Sequence, residues 1–177
     1  MSGHNKWSQI KHKKAATDAK RSREFGKLAK FIAAESRRVD GNFDSPSLRT
    51  AIDRARAANM PKENIERAVE RGKSGIGDAL EHVLYETYGP GGVAILIDAV
   101  TDNRNRTGQE LRHLLSELGY ALATPGSASW AFTKDTSGGW VAQTEITLSE
   151  EDDTALTTLL ERLDDHDDVE EVFTNVS

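Results

Sequence analysis

VAILIDAV, residues 93–100, decides how the second half of this chain folds. Seven of its eight residues are apolar, only Asp98 being charged, and they do not alternate with polar ones. A strand made from it needs cover on both faces, so it is predicted to lie at the centre of a sheet. Upstream, Leu80–Tyr88 reads as another strand, and Gly89-Pro90-Gly91-Gly92 as the turn between the two. Downstream, the polar loop Thr101–Thr107 leads into a capping box, Thr107-Gly108-Gln109-Glu110. The helix that follows is expected to bury Leu111, Leu114, Leu115 and Leu118 and to stop at Gly119. Ala128–Thr133 and Val141–Leu148 read as strands joined by a hairpin loop at Lys134–Gly139. Ser149 with Asp152 caps a last helix burying Leu156, Leu159, Leu160 and Leu163, and Val169–Asn175 is the last strand.

From Val93 the order is therefore βαββαβ. Right-handed crossovers place both helices on one face of a four-stranded antiparallel sheet, a ferredoxin-like domain over residues 78–177 with Leu80–Tyr88 as an extra strand. RNA-recognition domains share this topology and stack bases on aromatic residues of the open face. Trp130 and Phe132 fall on one face of their strand, with Trp140 across the hairpin. They read as core filling, with base stacking as the alternative, because the sheet needs apolar cover and its surroundings are acidic.

The first half reads differently. Residues 1–16 have little apolar periodicity and form an arm. A helix from Asp18 to Arg38 puts Lys20, Arg23, Lys27 and Lys30 on one side and Phe25, Leu28, Ala29 and Ile32 nearly opposite. Asp40-Gly41-Asn42 breaks it. Ser45-Pro46 starts a helix to about Ala58 that buries Leu48, Ala51, Ile52 and Ala55. A third helix from Pro61 to Gly72 turns Ile65, Ala68 and Val69 inward, and residues 73–77 are the linker. The fold class is α+β: a three-helix module with its arm over residues 1–75, then the ferredoxin-like domain. A helix-turn-helix reader is disfavoured, because its third helix would bring Glu63, Glu66 and Glu70 to the phosphates.

Charge divides at the same place. The 177-residue chain has a formal net charge of −6. Residues 1–73 hold 18 Lys/Arg against 9 Asp/Glu, +9, whereas residues 74–177 hold 5 against 20, −15. Through Arg38 there are eleven basic residues and three acidic ones. Such a basic half calls for a polyanionic partner, usually nucleic acid, while the acidic half would repel it and serve for orientation or solubility. Arg104 and Arg106 stand out in the acidic half as contacts to phosphate or to a partner protein, or as local pairs to carboxylates.

Several classes of function are excluded. There is no cysteine, so disulfide and thiolate chemistry are absent and a reducing compartment suits the chain. No apolar run is long enough to cross a bilayer or to resemble a secretory signal, so a cytoplasmic protein with no membrane partner is expected. There is no CxxC, HExxH, P-loop or GxGxxG. The five histidines are scattered, and a metal pair at His4 and His12 lacks further ligands. The expectation is a protein that is not an enzyme and uses no cofactor or metal.

Four stretches carry a resemblance to a known family. GHNKWSQIKHKKAATDAKR (3–21), NMPKENIERAVERG (59–72), YETYGPGGVAILIDAVTDNRNRT (85–107) and TPGSASWAF (124–132) closely resemble the signatures of the YebC family. Members are labelled transcriptional regulators, and the family includes a mitochondrial translational activator and proteins that help ribosomes through proline runs. The resemblance implies a nucleic-acid-binding regulator. The reading favoured is a monomeric translation factor on large-subunit rRNA near the peptidyl-transferase centre of the ribosome. It implies Lys6, Trp7, Lys11, His12, Lys13, Lys14, Lys20 and Arg21 as the contact surface, and it sets Arg104 and Arg106 in the family's NRNRT loop. Duplex DNA in transcription is the alternative, and a protein–protein adaptor the third reading. This chain departs from the family at two points. TPGSASWAFTKDTSGG runs almost directly into WVAQTEITLSEED, where typical members insert a third domain, and Asn5 replaces the usual serine.

Overall fold

The structure, a computed structural model, describes residues 6–10, 18–75, 80–136 and 139–177. It is a helical bundle followed by an α/β domain with an antiparallel sheet, as expected. Its residues divide into two compact units.

The helical unit consists of α1 (Asp18–Arg38), α2 (Pro46–Ala57) and α3 (Lys62–Lys73), together with the chain to His82 and Val100–Asn103. Ile32, Leu48, Ala51, Ile52, Ala55, Ile65, Ala68 and Val69 form its core. The helices stop where the sequence supplies residues that tolerate positive φ. Asp40 (φ 50°) follows α1 and Asn59 (φ 60°) follows α2. Each closes a Schellman motif, with Gly41 N–H on the Ser36 carbonyl at 2.8 Å and Met60 N–H on the Ala55 carbonyl at 2.9 Å. Met60 turns into the core as the motif's apolar plug.

α1 and α3 meet backbone to backbone at Gly72. A Cβ built there would lie 2.3 Å from the Ala33 carbonyl oxygen and 2.7 Å from Ser36 Cβ. The Ser36 hydroxyl donates to the Val69 carbonyl across the same contact at 2.6 Å. Gly72→Ala improves intrinsic helix propensity by about 1 kcal/mol, yet here it must push two backbones apart. We expect a net loss of roughly 1–3 kcal/mol, read as a lower urea midpoint for the helical far-UV signal.

The α/β unit contains β1 (Glu81–Tyr88, from Val83 on), β2 (Ala94–Thr101), α4 (Arg104–Glu117), β3 (Leu122–Ala123), β4 (Phe132–Lys134), β5 (Trp140–Ala142), α5 (Glu150–Asp164) and β6 (Val169–Thr174). The helical turn over residues 6–10, grouped above with the helices, belongs to this unit, because Trp7 and Ile10 bury in its core. The strand order is β3-β1-β2-β6. β2 pairs antiparallel with β6, for example Ile97 opposite Val172, and β1 with β3, Glu86 opposite Ala123. β2 is thus central, and its faces have different covers. Val93, Ile95 and Ile97 meet the leucines of α4 and α5. Ala94 and Leu96 meet Ala128, Ala131, Phe132 and Phe173.

Three details differ from expectation. The β4 and β5 strands form a separate two-stranded sheet, and β1 takes the inner position beside β2. The tight turn at Gly89–Val93, closed by Gly89 N–H on the Val93 carbonyl at 2.8 Å, sets β1 beside β2 as a hairpin neighbour. The three-residue β4 and β5 then serve as the lid β2 needs on its second face. Second, Trp130 lies on a 3-10 turn (Ser129–Ala131) rather than a strand and is 56% exposed, whereas Phe132 is core. Third, α4 begins at Arg104, so Thr107 is inside the helix and not its cap. Thr107 is buried and donates its hydroxyl to Asp168 at 2.7 Å.

Candidate nucleic-acid interface

The N-terminal half of α1 presents Lys20, Arg21 and Arg23 to solvent, and Lys30 is half-buried. Lys27 is not part of this surface: it is only 7% exposed. A helical wheel sorts residues by angle on one helix, and a lysine stem can lie along apolar surface that the wheel does not know about. Further along the unit Arg49, Arg54, Arg56, Lys62, Arg67, Arg71 and Lys73 are exposed. Some of this charge is already used. Arg49 pairs with Asp44 at 3.8 Å and Arg56 with Asp53 at 3.2 Å. Arg54 stands 5.4 Å over the Phe31 ring.

Arg38 is neutralised by Glu35, at 2.7 Å. Burial pushes the Glu35 carboxyl up, but hydrogen bonds from His82, Arg38 and Ser47 outweigh it and hold the group down at about 2. Glu35 is therefore ionised throughout the neutral range and offsets the charge of Arg38, while Arg37 beside it is exposed. Glu63, Glu66 and Glu70 are all exposed on α3, which leaves that helix a mixed-charge face.

The other residues singled out in the sequence have different fates. Lys11, His12, Lys13 and Lys14 lie outside the described residues. Lys6 donates to the Asp153 carbonyl at 3.0 Å and pairs with its carboxylate. Trp7 is 1% exposed and packs with the leucines of α4 and α5, so its ring is a core residue and not a stacking platform. Arg104 is exposed at the start of α4, and its carbonyl accepts from the Tyr85 hydroxyl at 3.0 Å. Arg106 is turned to its own domain: it holds Asp168 at 2.7 Å and stands 3.7 Å from Glu110.

His166 completes that network, with Nε2 3.1 Å from Glu110 and Nδ1 accepting the Asp168 N–H at 3.1 Å. Ligand atoms of Glu110, His166 and Asp168 lie within 4.8 Å of one another, as metal ligands do. The Arg106 guanidinium already supplies the positive charge there, and Thr107 donates to the Asp168 oxygen that Arg106 holds. The cluster is an ion-pair network that fastens α4 to the turn before β6.

Two features escaped the sequence reading. Glu86 is 5% exposed and accepts N–H bonds from Gly126 (2.7 Å), Ala128 (2.7 Å) and Ser129 (2.9 Å), which shapes the loop carrying Trp130. A groove between α1 and α3 brings Phe25, Met60, Asn64 and Arg71 together. Neither has a local signal, since each joins residues more than 30 positions apart.

Residues 5–75 match the family model described as the TACO1/YebC protein N-terminal domain, and residues 80–138 and 133–176 match the one for the second and third domain. The chain belongs to the TACO1/YebC family. The second match comes in two pieces that meet at the β4–β5 hairpin, the place where the resemblance located the missing insertion. Relatives named "Probable transcriptional regulatory protein" include one from Petrotoga mobilis, 54% identical over 136 residues, covering 76% of this chain and 54% of its own. One from Syntrophobacter fumaroxidans is 45% identical over 180 residues, covering 99% of this chain and 71% of its own. The chain thus spans about half the length of several relatives it matches. The crystal structure of a conserved hypothetical protein from Aquifex aeolicus superposes with a TM-score of 0.83 at 31% identity, over 97% of this chain and 96% of that one. The family members carry the name of regulators and not of enzymes. Among the described residues no helix is long and apolar enough to cross a membrane.

Proposed function

We propose that this chain is a nucleic-acid-binding regulator that makes no bond and breaks none, and that meets phosphates with the N-terminal half of α1 and the basic segment before it. The exposed trio Lys20, Arg21 and Arg23, in a half-chain of net +9, is the observation that carries this reading. Duplex DNA is the target that the relatives' name supports. A second reading, large-subunit rRNA near the peptidyl-transferase centre, is favoured by the three exposed glutamates of α3. They make that helix a poor occupant of a DNA groove, whereas backbone contacts from α1 suit irregular RNA.

Competition decides between them. The chain is titrated into labelled large ribosomal subunits at about 150 mM salt, where exposed charges are already screened, with duplex DNA and free rRNA as competitors. Lys20→Glu with Arg21→Glu is expected to weaken every nucleic acid alike and to lower the log–log salt slope by about one for each phosphate no longer neutralised. Subunits that outcompete DNA support the ribosomal reading. Duplex that wins with a sequence preference supports the transcriptional one. A variant that binds every partner as the wild type does sinks both.

A further inference from the structure

The groove between α1 and α3 lies beside the proposed phosphate-binding face and is unassigned. Its volume is about 240 Å³. That is below the ~300–1,000 Å³ of sites for drug-sized ligands, and it suits one planar ring system. The Phe25 ring and buried Met60 make its apolar lining. Gly26 leaves the α1 side open: a Cβ there meets nothing within 4 Å. Asn64, which brings both a donor and an acceptor, and the exposed pair Arg67 and Arg71 complete it. Among the described residues neither arginine forms an ion pair. Arg21 precedes Phe25 by one helical turn, so the groove continues the basic face rather than standing apart from it.

We infer that this groove takes a single unstacked base of a bound nucleic acid. The apolar lining would pack the ring, as aromatic side chains do for extruded bases. The Asn64 amide matches the mixed donor–acceptor edge of a base. Arg67 and Arg71, one turn apart, would hold the phosphates on either side, because both line the groove and Glu63, Glu66 and Glu70 do not. An acidic peptide with an aromatic residue is the rival occupant. The base is preferred because the amide complements a base edge, and because the groove adjoins the cations proposed to track a phosphate chain. The inference rests on the reading that nucleic acid meets the helical unit.

Met60 reports on the site directly. The chain has two methionines, Met1 and Met60, so methyl-labelled methionine gives two NMR signals. A short single-stranded RNA is added, and separately an abasic oligonucleotide of the same length and charge. The base-bearing strand is expected to shift the Met60 methyl by its ring current, and the abasic strand to leave it in place. Gly26→Leu fills the opening from an exposed position, where the added Cβ itself meets nothing within 4 Å. It is expected to abolish the shift and to weaken the base-bearing strand about fivefold or more, the size of one base–aromatic stack, with no effect on the abasic strand. If both strands bind equally and Met60 does not move, the groove holds no base, while the phosphate reading stands. If only an acidic aromatic peptide moves Met60, the groove is a peptide site and the inference fails. If no oligonucleotide binds the wild type at all, the inference fails, while the competition between ribosomal subunits and duplex DNA still decides the proposed function.

Discussion

Trp7→Ala is expected to destabilise the α/β unit by about 3–5 kcal/mol, the usual cost of truncating a large buried aromatic. The ring is 1% exposed, and with Ile10 it packs among Leu111, Leu115, Leu156, Leu160 and Val172. A domain is typically stable by only about 5–15 kcal/mol, so this one change removes a large share. Lys6→Ala should cost far less. Its partner Asp153 keeps half its side chain in water, and exposed ion pairs contribute roughly 0–1 kcal/mol.

The measurement separates two roles for the same residue. The resemblance implies Trp7 as a contact to nucleic acid, whereas the structure makes it an anchor. The remaining tryptophans, Trp130 and Trp140, both lie in the α/β unit, so their fluorescence follows its unfolding in urea. An anchor predicts a large fall in the midpoint for Trp7→Ala and a small one for Trp7→Phe. A contact residue predicts an unchanged midpoint and weaker binding, and that result would return Trp7 to the interface.

Trp7 also illustrates what a sequence exposes of its own fold. Its neighbours form no apolar period, so nothing local tells a buried ring from an exposed one. Where the information is local, reading and structure agree closely. α1 runs from Asp18 to Arg38, and the stops at Asp40, Asn59 and Gly119 all take positive φ. Ser149 caps α5 by accepting the Asp152 N–H at 3.1 Å. The centrality of β2 was legible because a run apolar on both faces must be covered twice. Which segments would cover it was not, because strand order depends on pairings between distant residues. The first turn of α4 failed for a related reason: Thr107 has the chemistry of a cap, but Asp168, 61 residues away, takes its hydroxyl. Of the interface, the exposed cations of α1 were visible as a charge pattern. The burial of Lys27, the pairing of Arg106 and the groove at Phe25 depend on neighbours outside each local segment.

Glu86 gives the second large effect, and its pH dependence has a definite sign. The carboxylate sits on β1 opposite β3 and gathers the N–H groups of Gly126, Ala128 and Ser129. Burial pushes the carboxyl up, but these three donors outweigh it and hold the group below its ordinary value of 4.5. Glu86→Ala leaves the buried Ala128 N–H and the part-buried Gly126 and Ser129 N–H groups without their acceptor, and we expect a loss of about 1–3 kcal/mol at pH 7, the cost of a buried donor left unsatisfied. Because the folded state binds the proton less readily than the unfolded one, the stabilisation is fully present above the ordinary carboxyl value. It is lost as pH falls through the lower value of the folded state. The stability gap between wild type and Glu86→Ala should therefore be constant from pH 7 to about pH 5 and narrow below about 4.5, whereas a gap that persists unchanged into acid would mean that packing, and not the ionised carboxylate, holds the loop. The same loop carries exposed Trp130, whose indole N–H donates to the Tyr88 hydroxyl at 2.9 Å. Losing Glu86 should free that ring as well, so the fluorescence of Trp130 should respond to acid in the wild type and not in the variant.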